Sequence, residues 1–187
     1  MKSNSQIPDR HSIRLKEYDY AQQGAYFVTI VTQTRTSLFG NIENDEVRLS
    51  PLGVIAHVAW FKTAVLRSNV KLWEDEFIVM PNHIHGIVWI KEIDNNDVGA
   101  RRRRAPTERF GKPIKGSLPT IIRAYKSAVT YAINEMRSTR GVPVWQRNYY
   151  EHVIRNQHDL ENIYKYIQFN PIHWAKDEEN PEWQSHL

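Results

Sequence analysis

Residues 80–90 read MPNHIHGIVWI, and two histidines in them, His83 and His85, stand on alternate positions at the mouth of a strand-like run. Residues two apart in a strand share a face, so the two imidazoles project together while Ile84 points the other way. Two ring nitrogens on one face can chelate a metal. H-x-H alone fits a polar pair on a wet strand face equally well. Far down the chain, NQHDLENIYKYIQFN reads as a helix with Leu160, Ile163, Tyr164 and Ile167 on its apolar face. Tyr166 and Asn170, four apart, stack one turn above the other at the flank of that face. A hydroxyl placed there can reach a polar site. An ordinary half-buried aromatic fits the same position in a chain with 9 tyrosines.

These residues need a scaffold, and 187 residues with 41% hydrophobic and 11% aromatic content are enough for one folded domain. With no cysteine, disulfides and thiolate zinc sites are excluded. No apolar run approaches membrane-spanning length, and MKSNSQIPDRHSIRLKEY lacks the apolar region of a signal peptide, so the expectation is a cytoplasmic protein with no membrane partner. There is no Walker loop and no G-x-S-x-G.

The formal net charge is +4, unevenly spread: Val98 to Arg147 holds twelve Lys/Arg against two Glu. A basic middle suggests a polyanionic partner, most often nucleic acid. Arg101, Arg102, Arg103, Arg104, Lys112, Lys115, Arg123, Lys126 and Arg147 are the phosphate-contact candidates. The run Arg101–Arg104 taken alone also fits a solvated loop. Trp145 and Tyr149 are candidates for stacking on unpaired bases, although aromatic core is the default for each. From Pro171 on, Asp177, Glu178, Glu179 and Glu182 against Lys176 make an acidic tail, about 175–187.

Patterning predicts a strand over 25–33, then a turn and short strand in NIENDEVRLS. Ser50-Pro51 starts a helix to about Arg67, with Ile55, Val58, Val65 and Leu66 on one face. WEDEFIVM (73–80) and IHGIVWI read as strands joined by the PNH turn, hence antiparallel. A mobile basic loop is expected over about 92–116. A helix follows with Leu118, Ile121, Ile122, Tyr125, Val129, Ala132, Ile133 and Met136 as its stripe. WQRNYYEHVI (145–154) reads as a strand. Asn156 caps the last helix, with Asp159 at the capping-box position, and the helix is expected to stop before Pro171. The order β, helix, β, β, loop, helix, β, helix suggests an α+β fold, a mainly antiparallel sheet with helices on its faces.

MPNHIHGIVWI, then IIRAYKSAVTYAI, VWQRNYYEHVIRN and YKYIQFNP, in that order from about Asp19 to Trp174, resemble the single-tyrosine HUH transposases, and among them the REP-associated tyrosine transposases. The resemblance implies the HUH endonuclease fold, a ferredoxin-like variant. It implies a metal-dependent single-stranded DNA endonuclease and strand-transferase acting on hairpin or palindromic repeat DNA in the cytoplasm of a bacterium, at the nucleoid. His83 and His85 match the metal ligands and Tyr166 the nucleophile that forms a 5′-phosphotyrosine. Asn170 falls where the insertion-sequence branch carries a polar third ligand, commonly glutamine, and is one methylene shorter. Two imidazoles and an amide suit Mg²⁺ or Mn²⁺, with imidazole favouring Mn²⁺ somewhat. No small-molecule cofactor is implied, and a monomer or a homodimer fits. A domesticated hairpin-binding module without turnover, and a nickase of the replication-initiator or relaxase type, are the competing readings.

Overall fold

The computed structural model describes residues 18–92 and 114–184. Most of the expected basic loop, residues 93–113 with Arg101–Arg104 and Lys112, lies outside the described residues.

The chain folds as α+β. A five-stranded antiparallel sheet is built on β1 (Gly24–Val31) and its partner β6 (His83–Ile90), which run the full length of each other from Gly24↔Ile90 to Val31↔His83. On the far side of β6 two short strands pair end to end, β4 (Val70–Lys71) and β5 (Phe77–Val79). On the far side of β1 lies β7 (Tyr150–Ile154). A separate hairpin, β2 (Gly40–Glu43) and β3 (Glu46–Leu49), turns through Asn44 and Asp45, both in the left-handed region at φ 51° and 61°. That is the backbone of a tight hairpin turn, and the expectation of one strand there missed it.

The sheet has two unlike faces because β1 and β6 alternate strictly. Tyr26, Val28, Ile30, Ile84, Val88 and Ile90 face the larger core, covered by α1 (Pro51–Val65) and α2 (Leu118–Met136). Ala25, Phe27 and Ile87 face a smaller one, covered by Ile167, Ile163 and Leu160 of α3 (Gln157–His173). His83 and His85 belong to the α3 face by the same alternation. Gly86, on the opposite face, lets the ring of Trp60 lie against the strand: a Cβ there would meet Trp60 Cζ2 at 2.5 Å and Phe77 Cδ2 at 2.9 Å.

α1 starts as expected, with Ser50 Oγ accepting from Gly53 N at 3.1 Å and Pro51 opening the helix. Its buried face differs from the expected one. Leu52, Ala56, Trp60 and Thr63 point inward, while Val58, Val65 and Leu66 are exposed. The helix is apolar nearly all round, so periodicity did not single out a face. α2 buries its stripe as expected, except that Ala132 is only half-buried and Met136 in its last turn is exposed. Of the strand expected over 73–80 only Phe77–Val79 pairs, because Glu74–Glu76 close into a 3-10 turn. Of 145–154, Tyr150–Ile154 is strand and Trp145 makes one isolated bridge to Thr32. α3 is capped by Asn156, whose Oδ1 accepts from Asp159 N at 2.8 Å, but it runs through Pro171 to His173. A proline in the last turn costs the helix one backbone bond, and the burial of Asn170 and Pro171 outweighs the local preference. The acidic tail then folds back as a 3-10 turn, Trp174–Lys176, and a short helix α4 (Pro181–Gln184). No described helix is long and apolar enough to cross a membrane.

Candidate active site

Strand β6 delivers the two histidines where the sheet meets α3 and the returning tail. Both are buried, with exposures of 0% and 2%, and their Nε2 atoms stand 2.9 Å apart. Each ring is held from behind. Asn82, fully buried in the turn before β6, gives its Nδ2 to two carbonyls, Arg35 O at 2.9 Å and Glu179 O at 2.6 Å. Those bonds settle which way its amide lies, so Oδ1 faces His83 Nδ1 at 2.8 Å and must accept. His83 therefore carries its proton on Nδ1 and presents a lone pair at Nε2. His85 Nδ1 meets Thr29 Oγ1 at 2.9 Å across the β1–β6 pair, and a hydroxyl serves that nitrogen as donor or acceptor. Burial pushes both imidazoles down, His83 well below the usual range and His85 to about 3. Both are neutral at physiological pH, the state in which histidine binds metal.

Two elements close the space in front of the Nε2 pair. From α3, the hydroxyl of Tyr166 lies 3.3 Å from His85 Nε2. Its ring stands edge-on to His85 at 5.0 Å between centroids and to Phe27 at 6.0 Å. Burial, then the nearby Asp177 carboxylate, push the phenol up to about 12. One turn on, Asn170 is 2% exposed; its Nδ2 donates to Asp177 Oδ2 at 3.2 Å, and its buried Oδ1 has no hydrogen-bond partner among the described residues. From the tail, Asp177 joins the histidines: one ligand atom from each of His83, His85 and Asp177 lies within 4.8 Å of the others.

These donors fit a divalent cation. The 2.9 Å between the two Nε2 atoms is close to the ~3.0 Å separating adjacent ligands of an octahedral shell with ~2.1 Å bonds. A buried amide oxygen without a partner is costly unless something is to be bound there. Two neutral nitrogens and one carboxylate leave a dication net positive charge.

The other sequence candidates are scattered. Lys115 and Arg123 are exposed at the start and on the outer side of α2, in the layer opposite the histidines. Arg147 is exposed in the segment that leads into β7. Lys126 is committed elsewhere, its Nζ donating to Gln146 O at 2.6 Å, Arg147 O at 3.0 Å and Asn148 O at 3.4 Å. Trp145 is 5% exposed and packs on Phe39 and Tyr125, so it has no face to offer a base. Tyr149 is half-buried against the larger core. His152 bonds Asp159, at 2.9 Å to Oδ2, and helps tie β7 to the first turn of α3. Asn82, Thr29 and Asp177 were not singled out by sequence. Asn82 had a signal, being the residue before the histidines; Asp177 had none beyond membership of an acidic run.

No family model matches the chain. An uncharacterized protein of Haemophilus influenzae is 37% identical over 95% of this chain and 96% of its own. A second protein of Haemophilus influenzae, provisionally named a REP-associated tyrosine transposase, is 27% identical over 88% of this chain and 80% of its own. Among solved structures, a REP-associated tyrosine transposase bound to a REP hairpin superposes with a TM-score of 0.58 at 19% identity, covering 90% of this chain and 77% of that one. The likeness confirms the α+β fold with helices flanking an antiparallel sheet.

Proposed function

We propose, from its likeness to REP-associated tyrosine transposases, that the chain is one of them, a divalent-metal-dependent endonuclease and strand-transferase for single-stranded, hairpin-bearing DNA, with Tyr166 as nucleophile. The observation that carries this reading is the Tyr166 hydroxyl, held 3.3 Å from His85 Nε2 at the edge of the His83, His85 and Asp177 cluster, with Asn170 bonded to Asp177. A nucleophilic oxygen and a cation-sized set of donors meet where a phosphodiester can enter from solvent, since Tyr166 is 47% exposed.

His83 Nε2, His85 Nε2, Asn170 Oδ1 and a carboxylate oxygen of Asp177 would hold the ion. When bound, Mg²⁺ or Mn²⁺ neutralises charge on the phosphoryl oxygens and lowers the pKa of the neighbouring phenol, with the two imidazoles favouring Mn²⁺. The chain's own groups do the rest. Asn82 and Thr29 hold the imidazole rings so that both Nε2 atoms face one point. α3, braced on Ile167 and Leu160, sets the phenol beside it. Tyr166 loses its proton to solvent, and its oxygen forms a bond to phosphorus as the bond from phosphorus to the 3′-oxygen breaks. The 3′-oxygen takes up a proton, leaving a 5′-phosphotyrosine and a free 3′-hydroxyl. Attack by another 3′-hydroxyl reverses the step and joins strands without an external energy source.

The test is a labelled single-stranded hairpin oligonucleotide, taken from beside the chain's own gene, incubated with Mn²⁺, with Mg²⁺ and with chelator. A denaturant-stable protein–DNA adduct that needs the ion and is absent in Tyr166→Phe is the expected result. Binding without an adduct under every metal condition would reduce the chain to a hairpin-binding module.

A further inference from the structure

Beside the nucleophile stands a second exposed phenol. β7 pairs with β1 in a register that sets Tyr150 opposite Thr29, the residue that bonds His85. Directly opposed residues of an antiparallel pair share a face, so Tyr150 projects on the side of the histidines. The ring of Phe27 links the three: it stacks on His85 at 5.5 Å and meets Tyr166 at 6.0 Å and Tyr150 at 6.3 Å, both edge-on. Tyr166 and Tyr150 thus flank one buried ring, the first with its hydroxyl at the histidines and the second further toward the sheet edge.

Tyr150 is 49% exposed and meets Phe27 in a T-shaped contact, so about half of the side chain is open to solvent. Leaving so much aromatic surface in water contributes little to the fold. The backbone that presents it is nevertheless tightly held. Trp145 is buried, Gln146 N donates to Val31 O at 2.9 Å, and the three successive carbonyls of Gln146, Arg147 and Asn148 converge on the ammonium of Lys126. Burial brings that ammonium down to about 8. A cation drawn from solvent to brace three carbonyls keeps this segment in one conformation, with Arg147 exposed just ahead of Tyr150. A rigidly held, solvent-facing ring with an exposed arginine three residues before it in the same segment matches the two demands of single-stranded nucleic acid: a stacking surface for a base and a cation for a phosphate nearby.

We propose that Tyr150 is the stacking platform for the unpaired base flanking the scissile phosphate, that Arg147 contacts a neighbouring phosphate, and that Lys126 acts as a positioning residue by holding the segment that carries both. This rests on the proposed single-stranded DNA substrate. It replaces Trp145 and Tyr149, which the fold turns into the core, with the one aromatic of that stretch that faces the site.

The experiment uses the full chain and a hairpin oligonucleotide with 2-aminopurine placed in turn at each unpaired position around the cleavage point. Binding is followed by fluorescence in chelator, and cleavage is followed separately with Mn²⁺. Wild type should quench emission at one position. Tyr150→Ala should abolish that quench and raise KM for cleavage roughly 5- to 140-fold, the range that ~1–3 kcal/mol per stacked base corresponds to, with kcat changed much less. Tyr150→Phe should restore both, because stacking needs the ring and not the hydroxyl. Lys126→Met should weaken the quench in part, and a reversed charge at Arg147→Glu should raise KM without moving the quenched position. Tyr150→Ala with an unchanged quench and KM overturns the proposal. Tyr150→Phe behaving like Tyr150→Ala also overturns it, since the hydroxyl would then be the working group. If wild type forms no adduct yet quenches through Tyr150, the strand-transfer reading fails while this one stands.

Discussion

At the scale of single residues, the site is organised by two side chains that stand behind the imidazoles. Asn82 spends both amide protons on carbonyls, which leaves its oxygen to define the tautomer of His83. With His83 Nε2 a bare lone pair, the 2.9 Å contact between the two Nε2 atoms makes His85 the donor in the metal-free chain, and Thr29 then donates to His85 Nδ1. To bind an ion, His85 must move its proton to Nδ1, and Thr29 must accept. A hydroxyl can do both; a methyl can do neither. Thr29→Val is therefore expected to raise the Mn²⁺ dissociation constant by about 10–100-fold, read by calorimetry, while Thr29→Ser stays near wild type. Tyr166→Phe removes one exposed-edge oxygen and keeps the ring. It should abolish the covalent adduct while folding stability by urea titration stays within ~0.5 kcal/mol. The phenol itself stands at about 12 in the metal-free chain, pushed up by burial and Asp177. Its ionisation, followed by ultraviolet difference titration of wild type against Tyr166→Phe, should move to lower pH on adding Mn²⁺, and a phenol that does not move would place the cation elsewhere.

At the scale of elements, alternation along β6 does the sorting. Odd residues from His83 go to the α3 face and even residues to the larger core, so the same eight-residue strand builds the site and anchors the fold. Gly86 is where the two duties meet, because Trp60 must approach the backbone directly behind His85. Gly86→Ala would drive a Cβ to 2.5 Å from Trp60 and is expected to cost roughly 1–3 kcal/mol in chemical denaturation, with metal affinity falling as β6 shifts. The helices divide differently. α2 shows a clean stripe and buries it, whereas α1 shows apolar residues on every side, and its inward face follows from where Trp60 fits against Gly86 and Phe77, whose ring stacks on Trp60 at 4.7 Å. The strand expected over 73–80 begins only at Phe77 because three consecutive acids, Glu74–Glu76, separate Trp73 from the β-forming run and favour a turn exposed to water.

At the scale of the whole molecule, two neutral imidazoles buried at a sheet–helix junction couple stability to pH. In the unfolded chain both titrate near 6.5; in the folded chain His85 falls to about 3 and His83 also lies well below its usual range. Below about pH 6.5 the unfolded state therefore binds more protons than the folded state, and stability is lost as the pH falls. Above it these groups contribute no pH dependence. In chelator, unfolding free energy should drop by roughly 2–4 kcal/mol from pH 7 to pH 5, and the drop should shrink in His83→Ala, His85→Ala double substitutions. Charge acts at the same scale. Neutralising Arg101–Arg104 together is expected to weaken binding to single-stranded DNA and to flatten its dependence on salt, because fewer counterions are released. An unchanged slope in a salt-titrated binding series would make that run a bystander.

The fold class was legible because the signals that specify it are local: strict alternation in AYFVTIV and HIHGIVWI, a Ser-Pro start, an amphipathic stripe in α2 and an Asn cap on α3. The same locality explains the misread ends. The local rule for proline stops α3 before Pro171, yet packing carries the helix through it, and Val58 and Val65 lie outward against expectation, since an all-apolar helix carries no record of its inward side. For the site, H-x-H on one strand and Tyr166 one turn from Asn170 are each local patterns, visible in the chain. Their meeting is not local: His85 and Tyr166 are 81 residues apart, and only the docking of α3 on the sheet brings hydroxyl to imidazole. Asp177 enters by a chain reversal after α3 that no periodicity encodes, and the choice of Tyr150 over Tyr149 and Trp145 depends on the register of β7 against β1. Residue type and spacing determine which chemistry is possible, because they act over a few ångström along the chain; tertiary packing decides which groups share it, because the distances that matter run across elements far apart in sequence.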